Sequence, residues 1–243
     1  MITLTTIIII LVVAFAFFAQ SLMGFGGGLI AIPILSIFMP VQDVVAMVMI
    51  YQLSMGLLAY NIRTEIKWKP VLTMVPSMLI GVALGVALLN ILHGDIMRII
   101  LASYIVLHLL RKRTNFDPLG YLIQWGDAYL AGFLGGTLNA MIGGGGPAFI
   151  LYLKDKVLDP PAFRASITII LFLSNIPRVF GFMGTGLLTH ELFLTGLMAY
   201  PGFLIALIMG QKLHNKIPTD KFFIAVEVLL ACSAALLILK IIF

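Results

Sequence analysis

The chain predicts an all-α integral membrane protein made of two inverted-topology repeats, each a glycine-broken helix pair followed by three transmembrane helices. Three observations carry this prediction. Of 243 residues, 61% are hydrophobic and only 10% charged, against roughly a quarter charged in soluble domains. Apolar runs that reach or approach the roughly 20 residues needed to span a bilayer recur from end to end. A glycine-rich break also occurs twice. Residues 20–35 read Q-S-L-M-G-F-G-G-G-L-I-A-I-P-I-L, and residues 139–153 read N-A-M-I-G-G-G-G-P-A-F-I-L-Y-L. Aligning Gly26 with Gly144 also sets Ser21 on Asn139 and Met23 on Met141.

The first helix is predicted over residues 2–23, ending at Gly24-Phe25-Gly26-Gly27-Gly28. No Lys or Arg precedes Arg63, and the apolar run exceeds the roughly 7–15 residues of a signal peptide, so this is expected to be a retained membrane helix. A short apolar segment at 29–39 follows, with Pro33 inside it. Eleven helical residues rise about 16 Å, roughly half the hydrocarbon thickness. Pro40 to Asp43 make a turn, and a helix is predicted over 44–60. Another spans 71–90 with Pro76 near its start, and a third spans 96–110 after the turn at His93-Gly94-Asp95. Residues 114–126 form the longest linker and divide a first repeat, 1–113, from a second, 127–243.

The second half repeats the pattern. A helix over 127–142 meets the second glycine run, and a short segment reaches 153. Helices are then predicted over 162–182, 191–211 and 221–243. Pro76 and Gly85 align with Pro201 and Gly210, and Asn90 and Asp95 with Asn215 and Asp220. An internal repeat of about 120 residues accounts for these identities. Cys232, the single cysteine, lies in an apolar helix and is expected to be a small core residue; disulfide scaffolds and Cys-based metal sites are excluded.

Lys and Arg set the topology. Four loops hold three basic residues each: Arg63, Lys67, Lys69; Arg111, Lys112, Arg113; Lys154, Lys156, Arg164; and Lys212, Lys216, Lys221. The turns between them hold none, so the net charge of +5 reflects membrane orientation and not nucleic-acid binding. Placing the four basic loops in the cytoplasm makes every helix count agree. It leaves both termini outside and the two halves inverted. One glycine-broken pair then enters from outside and the other from inside, either as full crossings or as re-entrant hairpins.

Unpaired backbone groups at membrane depth cost several kcal/mol each, so a glycine break is tolerated only where it is buried or lines a cavity. A break that opens into a short helix presents N–H groups and the positive end of a helix dipole. Two such tips from inverted halves predict a transporter's anion site near the midplane. Close helix packing through small residues is the competing explanation.

M-G-F-G-G-G-L-I-A-I-P-I-L, followed by G-G-T-L-N-A-M-I-G-G-G-G-P-A-F, resembles the paired glycine motifs of the TauE/SafE sulfite exporter family. The resemblance covers essentially the whole chain. It implies a multi-pass protein of the cell inner membrane that moves sulfite, sulfonates such as sulfoacetate, or other small anions, as a secondary transporter working by alternating access. Pro147 directly follows the second run and Leu151 stands where Pro33 would match. The two half-sites are therefore expected to be unequal, with the heavier polar share in the second.

The expected substrate-binding residues are Gln20, Ser21, Gly26, Gly27, Gly28 and Gln52 from the first half. From the second half they are Asn139, Gly144, Gly145, Gly146, Asn175 and Arg178. Arg178 is the strongest of them: a buried guanidinium in a membrane persists when paired with an anion, and its fork suits sulfonate oxygens. Snorkelling to headgroups is its alternative. Gln52 needs a partner at its depth. Glu227, inside the last helix, is the candidate for proton coupling. Metal-ligand spacing and a Walker-type loop are both missing from the sequence, so no cofactor is expected. The expected partners are a small anion and the lipid bilayer, with the oligomeric state open. An intramembrane enzyme acting on a lipid or prenyl substrate, and a passive anion channel, are the competing functions.

Overall fold

Helices form where the sequence is apolar and unbroken, and glycine and proline decide where they end. The computed structural model describes residues 4–57, 63–113, 118–213, 228 and 230–239. In chain order these fold into α1 (Leu4–Met23), α2 (Gly27–Leu35), α3 (Val41–Leu57), a 3-10 turn (Arg63–Glu65), α4 (Trp68–Ile91) and α5 (Gly94–Arg113). Then come α6 (Pro118–Ile142), α7 (Gly146–Lys156), α8 (Pro160–Gly184), α9 (His190–Met198), α10 (Tyr200–Leu213) and α11 (Leu230–Leu239). No strand occurs among the described residues.

α1, α4 and α8 are each long and apolar enough to cross a membrane, and α9 with α10 would make a fourth span. The short segments after the glycines stay short. α2 has 9 residues and α7 has 11, rises of about 14 and 17 Å that cover roughly half the hydrocarbon core.

Three sequence expectations need correcting. Residues 191–211 are not one helix: α9 and α10 meet at a 46° bend. Pro201 has no N–H to donate and its ring collides with the carbonyl four residues back, while Gly202 beside it weakens the turn further. The linker read over 114–126 is helical from Pro118, and α6 is reset at Asp127, whose φ of 47° is non-helical. Cys232 is exposed and not in the core. The buried stripe of α11 is Leu230, Ser233, Ala234 and Leu237, a three-four spacing that turns Cys232 outward.

The chain divides into two compact units. The first comprises Met1–Val48, Leu92–Phe116 and His190–Phe243, and the second Met49–Ile91 and Asp117–Thr189. In the first, α1 packs along α10. Gly202 lets α10 approach Ile10 and Ala14, Gly210 lets it approach Phe18 and Ser21, and Phe17 meets Phe203 edge to face at 5.1 Å. Gly202, Ala206 and Gly210 are four apart, a small-residue stripe of the kind that brings membrane helices close.

In the second unit α4 lies against α6 with glycine on both sides. A Cβ on Gly81 would stand 2.2 Å from the Phe133 carbonyl oxygen, and one on Gly136 2.4 Å from that of Met78. The backbones themselves touch. α4 hides Gly81, Val82 and Gly85 and turns out Leu72, Leu79, Ile80 and Leu84. Small residues inside and large apolar ones outside are the pattern of a helix whose outer solvent is lipid. α8 joins this unit with its start fixed by sequence: the Asp159 carboxylate accepts from the Ala162 N–H at 3.0 Å, ahead of Pro160 and Pro161.

Candidate functional site

In the first unit, α1 ends where Gly24 (φ 87°) and Gly26 (φ 99°) take left-handed conformations that glycine adopts without strain. The side chain of Gln20, in the last turn of α1, reaches across the break. Its Oε1 accepts from the Gly27 N–H at 3.0 Å, satisfying a donor that opens α2. A Cβ on Gly27 would sit 2.2 Å from that oxygen, so glycine makes room for the cap. Gly28, next in the first turn of α2, is buried. Ser21 Oγ donates to the Leu207 carbonyl of α10 at 2.9 Å. Gln20 and Ser21 are thus engaged in capping and helix pairing.

In the second unit, α6 ends at Gly143 (φ 61°), whose N–H donates back to the Asn139 carbonyl at 3.0 Å. Gly144, Gly145 and Gly146 are all buried. Gly145 has an ordinary right-handed backbone, φ −68° and ψ −18°. Its demand is spatial: a Cβ there would lie 2.3 Å from the Gly135 carbonyl oxygen and 2.6 Å from Asn139 Cβ. α7 then starts with Pro147 in its first turn.

A buried polar network surrounds this second break. Arg178 of α8 is fully buried. Its Nη1 donates to Gln52 Oε1 at 2.8 Å and to Asn175 Oδ1 at 3.0 Å. Gln52 Nε2 in turn donates to the Gly143 carbonyl at 3.4 Å, tying α3 to the glycine break. Asn139 Nδ2, one turn before the break, donates to Ser174 Oγ at 2.8 Å and to Asn175 Oδ1 at 3.3 Å. The guanidinium carbon also stands 5.1 Å from the Phe182 ring centre, within cation–π range. Burial excludes the snorkelling alternative, because the head of Arg178 turns inward to side-chain amides.

The structure therefore brings Gln52, Asn139, Asn175 and Arg178 together at the second break, with Gly144, Gly145 and Gly146 beside them. It holds Gln20, Ser21, Gly26, Gly27 and Gly28 in the other unit. Glu227, the candidate for proton coupling, lies outside the described residues. Two members of the network are not foreseen from the sequence, Ser174 and the Gly143 carbonyl. Ser174 had a signal in its adjacency to Asn175 on a membrane helix; the carbonyl had none.

Chemically, the second break combines a buried cation, oriented amides and the opening turn of a short helix, all of which favour a negative ligand. The family model described as sulfite exporter TauE/SafE matches residues 9–237. No curated protein and no solved structure matches the chain.

Proposed function

Since the chain belongs to the TauE/SafE sulfite exporter family and is a multi-pass membrane protein of a transporter family for sulfur anions, we propose that it is a secondary transporter exporting small sulfur oxyanions, sulfite or organosulfonates such as sulfoacetate, across the cytoplasmic membrane. The observation that carries this reading is Arg178, fully buried beside the second glycine break and held by Gln52 and Asn175. A guanidinium so placed offers a small oxyanion both charge and a planar fork of donors. Asn139, Asn175 and Gln52 orient it, and the start of α7 adds its dipole.

In this reading the two halves are inverted, their two glycine tips form unequal half-sites, and alternating access rocks the halves about them. The packing of the Pro/Gly helices supports a duplication. Gly85 of α4 backs onto Thr137 and Ala140 of α6, and Gly210 of α10 backs onto Phe18 and Ser21 of α1. Under the alignment of Ser21 with Asn139 the two contacts fall one residue apart. Each half thus lends this helix to the other half's glycine-broken pair. Both termini face outward, Glu227 serves proton coupling, and the partners are the anion and the bilayer.

Uptake of labelled sulfite, sulfoacetate, thiosulfate and a carboxylate into proteoliposomes, with and without a pH gradient, tests the function. Sulfur anions should enter well above protein-free vesicles and saturate with concentration. Non-saturating flux would favour the passive channel, and indifference to the gradient would remove the coupling role of Glu227. A C-terminal reporter active only in the cytoplasm should stay silent; activity would reverse the orientation.

A further inference from the structure

The hydrogen bonds around Arg178 leave no freedom in how each amide points. The Leu171 carbonyl accepts from both Ser174 Oγ and Asn175 Nδ2, each at 2.8 Å. Ser174 Oγ has its one hydrogen spent there and faces Asn139 as an acceptor, and the bond from Asn175 Nδ2 leaves Asn175 Oδ1 facing Asn139 as a second acceptor. Asn139 must answer with its Nδ2, which it does at 2.8 and 3.3 Å. The Arg178 donor on the same Asn175 oxygen, at 3.0 Å, enforces that orientation from the other side. One atom is left over. Asn139 Oδ1 is turned away from these partners and accepts no hydrogen bond among the described residues, although Asn139 is fully buried. A buried acceptor without a donor is destabilising and calls for an explanation.

Resting on the anion-carrier reading above, we propose that the site takes its substrate in a protonated form, as a singly charged oxyanion bearing one O–H. Among the candidate sulfur anions only sulfite keeps such a proton near neutral pH, as hydrogensulfite. Its hydroxyl donates to Asn139 Oδ1 while its bare oxygens accept from Arg178. Asn139 and Arg178 share Asn175 Oδ1 as a partner, so acceptor and cation lie within one small anion's reach of the same side chain. A dianion brings a second charge against one guanidinium and a lone pair against the Asn139 oxygen. A sulfonate monoanion has the right charge and no head-group hydrogen to give. Ser174 is a positioning residue, because its hydroxyl holds the Asn139 amide in this orientation.

The test is the initial rate of uptake into proteoliposomes at equal pH on both sides, corrected with protein-free vesicles, for labelled sulfite and for methanesulfonate. Across the range where hydrogensulfite loses its proton, the sulfite rate at fixed sub-saturating total concentration should fall, approaching about tenfold per pH unit beyond that ionisation. Methanesulfonate, which does not titrate there, should be carried at least about tenfold more slowly than hydrogensulfite and at a rate flat with pH. Asn139→Leu should erase the preference between the two anions, and Ser174→Ala should narrow it by freeing the amide to turn. A sulfite rate that ignores or rises with pH, or equal rates for the two anions in the unaltered protein, overturns the inference and leaves the carrier reading standing. Failure of both anions to enter at any pH overturns the inference, and failure of sulfoacetate and thiosulfate as well removes the carrier reading. Because the pH profile and anion comparison use the unaltered protein, a variant that fails to fold leaves the test intact.

Discussion

Arg178→Ala is expected to cut sulfur-anion transport by at least about thirtyfold in protein that still reaches the membrane. Removing one partner of a buried charge–ligand pair costs about 2–5 kcal/mol, and 2 kcal/mol is already about thirtyfold in affinity. Part of the cost falls on the protein itself, because Gln52 Oε1 and Asn175 Oδ1 both lose the Nη1 donor that orients them. Two further substitutions separate the effects. Arg178→Lys keeps the charge and gives up the planar fork, so transport should fall less than in Arg178→Ala, with the loss seen mainly in apparent affinity. Arg178→Gln keeps donors for the two amide oxygens and removes the charge, so it should recover thermal stability without recovering transport. Initial rates should be normalised to folded protein measured by size-exclusion in detergent. Alanine and glutamine variants that transport at the unaltered rate would show that Arg178 serves packing only.

The helical plan could be read from sequence because bilayer chemistry is severe. Backbone groups must be paired internally, so glycine clusters such as Gly24 to Gly28 and Gly143 to Gly146 have few meanings in an apolar chain. The short reach of α2 and α7 follows from the same counting. Prolines are less legible. Pro76 and Pro177 lie inside continuous helices, whereas Pro201 marks a 46° bend. All three lack the same N–H; neighbours decide the outcome. Ser77 beside Pro76 and the Met74 carbonyl two residues before it pack against Gly132 of α6, whereas Gly202 follows Pro201 directly and adds no side chain to stiffen the turn.

The candidate site was legible by residue type and not by connection. Arg, Asn and Gln stand out in an apolar sequence because each must find a partner there. Which partner is a three-dimensional fact. Gln52 and Arg178 are 126 positions apart and share a hydrogen bond. Gln20, expected from the sequence to bind substrate, is engaged as a cap. Amide orientation is further out of reach of the sequence, because it is set by the Leu171 carbonyl, a backbone atom common to every residue type.

Gly145→Leu should abolish transport, and Gly145→Ala should lower it by about tenfold or more. Backbone conformation is not the reason, since φ −68° and ψ −18° suit any residue. Space is the reason. The added Cβ would meet the Gly135 carbonyl oxygen at 2.3 Å and Asn139 Cβ at 2.6 Å. A flexible side-chain tip can swing aside, but these atoms belong to the α6 backbone and to the root of a side chain. The start of α7 must therefore move off α6 or Asn139 must shift. Overpacking of this kind costs about 1–3 kcal/mol in stability, and an ångström of displacement at a binding constellation can cost about a hundredfold in rate. Gly143→Ala isolates the other way a glycine can matter, because there the φ of 61° penalises a Cβ by about 1–2 kcal/mol. Gly184 is the control: it closes α8 with nothing within 4 Å of its would-be Cβ, so Gly184→Ala should leave melting temperature and transport unchanged. If Gly145→Leu transports as well as Gly184→Ala, the close approach of α7 to Asn139 does not shape the anion site, and the network around Arg178 works without the glycine beneath it.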